Sequence, residues 1–369
     1  KPAESHTLDP PVDQPLPADH VRFSHRTHRS AVAGKTSTWR FDGRARRSYH
    51  RPYGFEASMV KRELVEMRRA EPAAVESLLE EEVAEWSSRL SWQRPRLLEQ
   101  LRPLVVRGNL AGWLLALDGR PAGKVLVGEQ GGVCSLEMAY VSPVWRGQGH
   151  LAWLLGRAAA DLLAENPDQR LEAGLFPFSR EDPGGLLRGA GFHELWRDYM
   201  VTDMPDSIPV AAHPLSPWPD ELAEPASLLL EAYRGSADAE CSAFYTLPDG
   251  CRAYLKALLS GSECGGFSRP LSWVHRDGTG ALAGLVLGTV LSPGVAHLAQ
   301  IAVRPDQRGA GLGRSLVAGF MDAARRQGIE RLSLIVSRGN ATAHDWYQRL
   351  GYRPSEPYVC YWRPGSPAR

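Results

Sequence analysis

The sequence predicts an α/β protein (an α+β fold with a mixed sheet) made of two similar domains. Two observations carry this. The chain has 369 residues, more than one domain of ordinary size needs. Its landmarks also recur at a fixed distance: Arg146-Gly147 and Arg308-Gly309 lie 162 positions apart, and Gly191-Phe192 and Gly351-Tyr352 lie 160 apart. An offset held across two landmarks marks a repeat of domain size rather than a short solenoid unit.

The elements justify the repeat in order. From residue 58, Leu64 to Arg69 reads as a strand. Glu71-Pro72 opens a helix that carries Val75, Leu78, Leu79, Val83 and Trp86 at helical spacing. A short helix follows over 94–104. Strands are expected over 111–117, 122–127 and 133–141, with Asp118-Gly119 and Gly131-Gly132 as hairpin turns. A glycine-rich turn, a helix over 152–164 and a strand over 170–176 complete the first domain, residues 58–205. The second domain, 208–369, repeats this with helices over 219–232 and 251–259. Its strands are expected over 271–275, 281–291 and 296–303, then a glycine turn, a helix, and a strand over 332–336. A Pro- and Asp-rich linker joins the two near 202–219.

Composition narrows the class. Hydrophobic residues make up 43% and charged residues 23%, as in soluble globular proteins. No apolar run is long enough for a membrane span, and the N-terminus lacks an apolar signal core. Five cysteines without a CxxC pair argue for reduced thiols and against a zinc site, so a cytoplasmic protein without a metal is expected. The net charge of +1 excludes nucleic-acid binding by the charge of the whole molecule. Residues 1–57 differ: His20 to Arg51 carries nine basic residues against Asp42 alone, with Phe23, Trp39, Phe41 and Tyr49 between them. Such an arm reads either as a solvated extension or as a contact for an anionic partner, a nucleic acid or an acidic peptide.

The most informative stretch is Gln307-Arg308-Gly309-Ala310-Gly311-Leu312-Gly313-Arg314. An alternating apolar run ends at Ile301-Ala302-Val303 before it, and a periodic helical run follows. Glycines allow close backbone approach. The first amides of a helix lack internal partners and, with the helix dipole, favour an anion such as a pyrophosphate. A P-loop needs Lys after its last glycine, where Arg314 stands, and the dinucleotide fingerprint spaces its glycines differently. The stretch resembles Gln/Arg-x-x-Gly-x-Gly/Ala, the coenzyme A loop of the GNAT superfamily of N-acetyltransferases. Downstream, Asn340-Ala341-Thr342-Ala343-His344-Asp345-Trp346-Tyr347-Gln348-Arg349-Leu350-Gly351-Tyr352 resembles the next GNAT motif, Asn-x-x-Ala-x-x-x-Tyr-x-x-x-Gly-Phe/Tyr.

The resemblance implies two tandem GNAT folds and transfer of an acetyl group from acetyl-CoA to an amine within a ternary complex. It implies that 307–314 hold the pyrophosphate, that backbone groups of Ile301, Ala302 and Val303 bind the pantetheine, that Asn340 and Ala343 belong to the coenzyme site, and that Tyr347 protonates the departing thiolate. Many members carry a Glu on the strand before the loop. Here that strand, His297-Leu298-Ala299-Gln300, has no acid, so the base is either His297 or a water chain held by Gln300. Cys360 reads as a small core residue, with nothing nearby to lower its pKa, and His344 as a solvent-facing helix residue.

The first copy departs from these patterns. Trp145 stands for Gln307 and Leu151 for Gly313, where a side chain would crowd a phosphate. Arg180, Pro183 and Leu187 stand for Asn340, Ala343 and Tyr347. It is therefore expected to be silent and supporting, with activity in the second copy. The acceptor is expected to be a small-molecule or peptide amine, and a monomer is expected. Two alternatives stay open: a scaffold that binds acyl-CoA without turnover, and an acyltransferase that uses a longer acyl-CoA on a peptide or protein amine.

Overall fold

A computed structural model describes residues 60–261 and 264–366. The basic arm expected at 1–57 lies outside the described residues. The first half runs β1 (Arg62–Glu66), α1 (Pro72–Leu90), α2 (Pro95–Val106), β2 (Gly112–Leu117), β3 (Arg120–Gln130), β4 (Val133–Val141), α3 (His150–Glu165), β5 (Arg170–Leu175), α4 (Gly185–Gly189) and β6 (His193–Asp203). The second repeats that order with β7 (Ser216–Pro217), α5 (Ala223–Tyr233), α6 (Ala237–Cys241), α7 (Pro248–Ser260), β8 (Gly266–Phe267), β9 (Trp273–Arg276), β10 (Leu282–Ser292), β11 (Val295–Val303), α8 (Leu312–Arg326), β12 (Arg331–Ser337), α9 (Ala341–Arg349) and β13 (Arg353–Arg363).

Local sequence accounts for most boundaries. Pro72 sits in the first turn of α1, where its missing N–H costs nothing. Gly261 closes α7 at φ +74°, a left-handed cap that glycine reaches without strain. The Ser236 side chain caps α6 by accepting the Ala239 N–H. The run expected as a strand over 64–69 is shared between β1 and a 3₁₀ turn over Met67–Arg69.

All strands among the described residues join one sheet, ordered β1-β2-β3-β4-β5-β13-β6-β12-β11-β10-β9-β7, with β8 beside β10. This order exchanges the last strand of each half. β13 pairs antiparallel with β5 of the first half, Val359 facing Leu175. β6 pairs antiparallel with β12 of the second, Arg197 facing Ser337. The two halves therefore share backbone hydrogen bonds across their junction instead of meeting through side chains alone.

Within each half the sheet is covered on both faces. In the second, α8 and α9 pack one face through Leu312, Leu316, Phe320, Met321 and Tyr347. On the other, α5, α7 and the 3₁₀ turn Ala243–Tyr245 pack Leu229, Leu255 and Tyr245 against Leu285, Leu287 and Ala302. An aromatic seam of Trp92, Tyr140, Phe176, Phe178 and Tyr199 fills the junction. No described helix is long and apolar enough to cross a membrane.

Candidate active site

One parallel strand pair sets the site. β11 and β12 pair from Val295↔Arg331 only as far as Leu298↔Leu334. β11 then continues to Val303 alone on that side, and a register shift against β10 falls between Leu298 and Gln300. One extra residue in a strand twists and bends it, so the two strands splay. The Arg304 N–H donates to the carbonyl of Ala283, near the start of β10. Side alternation then turns Ala302 toward β10, and Ile301 and Val303 toward the splay. Consistent with this, Ile301 O accepts the Tyr233 hydroxyl (3.3 Å) and Val303 O accepts Arg308 Nε (3.3 Å). Of the three backbone positions expected at the pantetheine, Ala302 is thus committed to the sheet.

The glycine loop caps the splay. Gly309 and Gly311 hold φ of +82° and +85°, and a Cβ built on either meets nothing within 4 Å. The space beside their amides is open, and Gly311 starts α8. Arg308 donates only to backbone carbonyls, those of Val303 and Ala232. Among the described residues no carboxylate pairs with Arg308 or Arg314, so both charges stay free beside the helix N-terminus. Leu312 is anchored in the core, Gln307 Nε2 donates to Asp306 (3.1 Å), and the Ala310 carbonyl bonds the His213 ring (3.0 Å). The residues fit a diphosphate group with an elongated thiol-bearing arm, as coenzyme A has.

Tyr347 lies buried on α9 against Tyr352, ring centres 5.7 Å apart. Burial, and then the nearby Tyr233, push its phenol above the usual value, so it holds its proton at neutral pH. Gln300 is buried in a tyrosine net: Nε2 donates to Tyr233 Oη (2.7 Å), and Oε1 accepts from Tyr245 (3.2 Å) and Tyr254 (3.3 Å). Asn340 is the cap of α9, its Oδ1 accepting the Ala343 N–H at 3.2 Å, so that oxygen is committed to the helix.

Three expectations are corrected here. His297 is 2% exposed, bonds Ser333 Oγ at 2.9 Å, and stacks between Trp92 and Tyr199 of the first half. Burial pushes its pKa down to about 3. It sits on the paired part of β11, opposite Ser333, sealed from the splay, and cannot serve as the base. His344 is not solvent-facing: Nε2 meets Asp198 Oδ2 of β6 at 3.1 Å. Cys360 has company, since it packs with Cys241, Leu195 and Trp362. The Cys241 hydrogen bond, helped by Arg197 and opposed by burial, lowers its thiol pKa.

The structure also adds a carboxylate that sequence reasoning missed. Asp238, on α6, accepts Arg197 Nη2 (2.7 Å) and Ser337 Oγ (2.9 Å). Ser337 ends β12 beyond its pairing with β11, and Asp238 also acts on the Tyr233 phenol. Asp238 therefore stands at the mouth of the splay. Nothing in the residues around it forms a motif.

Residues 238–352 match the model of the Acetyltransferase (GNAT) family. Over those residues the chain is similar to GNAT acetyltransferases. A mycothiol acetyltransferase of Beutenbergia cavernae is 33% identical over 96 residues, 26% of this chain and 32% of that protein. An uncharacterized N-acetyltransferase of Methanocaldococcus jannaschii is 28% identical over 142 residues, 37% of this chain and 58% of that protein. The chain thus spans between a third and three fifths of the length of these relatives. Among solved structures, a GCN5-related N-acetyltransferase from Sphaerobacter thermophilus superposes with TM-score 0.56 at 18% identity, covering 83% of this chain and 98% of that one. A tandem GNAT protein from the clavulanic acid biosynthesis pathway superposes with TM-score 0.52 at 17% identity, covering 84% and 100%. These likenesses support the tandem GNAT fold.

The corresponding place in the first copy is built differently. Arg146, the counterpart of Arg308, gives Nη1 and Nη2 to Glu85 (2.7 and 2.5 Å) and Nε to Val141 O (2.8 Å). The Gly149 N–H, counterpart of Gly311, donates to the Glu181 carboxylate at 2.7 Å. A built-in anion thus sits where a phosphate would. Leu151 does not crowd the loop as expected; it is buried in the core of the first half. Gly313, its counterpart, would meet only Val303 Cγ2 at 3.8 Å. Leu187, counterpart of Tyr347, is also core.

Proposed function

We propose that the protein is an N-acetyltransferase whose C-terminal copy carries an acetyl group from acetyl-CoA to a primary amine by direct attack. The observation that carries this reading is the open loop over Gly309 and Gly311, with unpaired Arg308 and Arg314, at the end of a splayed strand pair. Acetyl-CoA supplies the acetyl thioester. Arg308, Arg314 and the first amides of α8 hold the pyrophosphate. The Ile301 and Val303 amides face the splay, where they bind the pantetheine and stabilise negative charge on the thioester oxygen. In the reaction a C–N bond forms and the C–S bond breaks. The thiolate takes its proton from Tyr347, which burial keeps protonated, and the amine gives one proton to a base. The acceptor is a small-molecule or peptide amine.

Thiol release tests this. Acetyl-CoA is incubated with spermidine, glucosamine and a lysine-containing peptide, and free thiol and acetylated amine are measured together. Stoichiometric appearance of both with at least one amine is expected. Coenzyme binding without thiol release from any amine would favour a scaffold. Release only from longer acyl-CoA would replace the acetyl donor.

A further inference from the structure

Asp238 belongs to a segment that cannot hold itself in place. α6 is only five residues long, and so short a helix gains little from its own hydrogen bonds. The first copy supplies the anchors. Arg170 Nη2 of β5 donates to the Glu240 carbonyl (2.6 Å). Glu172 Oε1 of β5 accepts the Ala243 N–H (2.9 Å). Arg197 Nη2 of β6 donates to Asp238 Oδ1. Strand exchange makes this possible, because β6 lies beside β12 and brings Arg197 level with Ser337. Both bonds to Asp238 land on Oδ1, leaving Oδ2 without a partner among the described residues. The Asp238 side chain is about one quarter exposed (24%) and that of Arg197 about one fifth (19%), so the pair borders solvent at the cleft.

We propose that the first copy completes the acceptor side of the second: Arg197 is a positioning residue that fixes Asp238, whose free Oδ2 takes the proton of the attacking amine. This rests on the acetyltransfer reading above. The proton passes from nitrogen to Asp238 as the C–N bond forms, and then to water. The degenerate copy therefore has a part in turnover without binding coenzyme.

The test compares Asp238→Asn, Arg197→Met, Arg197→Lys and the Asp238→Asn/Arg197→Met double variant of the full chain, using the amine that turns over best. Asp238→Asn is expected to lower kcat/KM for the amine about 10²–10⁴-fold. Arg197→Met is expected to cost about 100-fold through misplacement, with Arg197→Lys recovering part. The double variant is expected to be no worse than Asp238→Asn, because the two act as a unit. Acetyl-CoA affinity, read by calorimetry, should hold in all four. Hydrogen exchange of 237–245 should quicken in Arg197→Met. Unchanged exchange in that segment, kcat/KM within twofold of the parent, or losses that multiply in the double variant would each overturn the proposal. Should the parent release no thiol with any amine, the acetyltransfer reading fails, and the exchange result alone decides the positioning role.

Discussion

The loop at Gly149 and the loop at Gly311 share a backbone path and differ in what meets it. Both put glycine at positive φ at the start of a helix, +72° and +85°. At Gly149 the amide is taken by Glu181, and Arg146 is clamped by Glu85. At Gly311 no side chain takes the amide among the described residues, and Arg308 has only carbonyl partners. The fold supplies an anion site in each copy. On the proposed reading, two carboxylates that lie outside the loop motif decide whether a coenzyme can use it. A likeness of fold thus says little about activity until the partners of each amide are counted.

Substitutions in both copies sharpen this contrast, taken from the largest expected effect. Tyr347→Phe should lower kcat about 10²–10⁴-fold with little change in acetyl-CoA affinity, as steady-state kinetics and calorimetry together would reveal. Leu187→Ala in the first copy should change stability and not kcat.

The first copy holds a buried pair, Lys124 with Glu82, at 2.5 Å. Lys124→Met strands the Glu82 carboxylate in the core and should cost about 3–5 kcal/mol in denaturant unfolding. Coenzyme stoichiometry of the protein that stays folded should not change, since the pair is far from the second loop in sequence and fold.

Gly311→Glu brings to the second loop what Glu181 brings to the first. Losing one hydrogen bond to a charged group, worth about 1.5–3 kcal/mol, should weaken acetyl-CoA binding by at least about 10–100-fold. Glu181→Gln, in contrast, should leave binding unaltered, because Arg146 remains held by Glu85.

His297 gives no effect at neutral pH and one seen only in acid. Its folded pKa of about 3 lies below the ordinary 6.5. Above that range both folded and unfolded chains hold a neutral ring, so it contributes nothing. As pH falls below about 6.5 the unfolded chain takes up a proton that the folded one refuses, and stability declines until about pH 3. The slope reaches at most about 1.4 kcal/mol per pH unit. His297→Gln should flatten this decline in urea titrations run at successive pH values, and an equal decline would refute the sealed histidine.

The sequence reading reached what is local. The Gly309–Gly311 turn, with the strand before it and the helix after it, is written within a few neighbours, and the structure keeps it; Asn340, expected at the coenzyme, instead caps α9. What it missed comes from residues far apart in the chain. Strand exchange between β6 and β13 leaves no periodicity to read, because either strand fits either neighbour. His297 looked available because Trp92 and Tyr199, which bury it, come from the other copy. Asp238 had no motif, since three anchors on β5 and β6 give it its place. Glu181 stands where the second copy has Ala341, a single difference whose meaning appears only once the Gly149 amide is seen to face it.

The most direct test of the contrast is the number of acetyl-CoA molecules bound per chain, by calorimetry, in the parent protein and in Gly311→Glu. One site in the parent, lost in Gly311→Glu, is the predicted result. Two sites, or one site that survives Gly311→Glu, would contradict it and show that the loop closed by Glu181 can open.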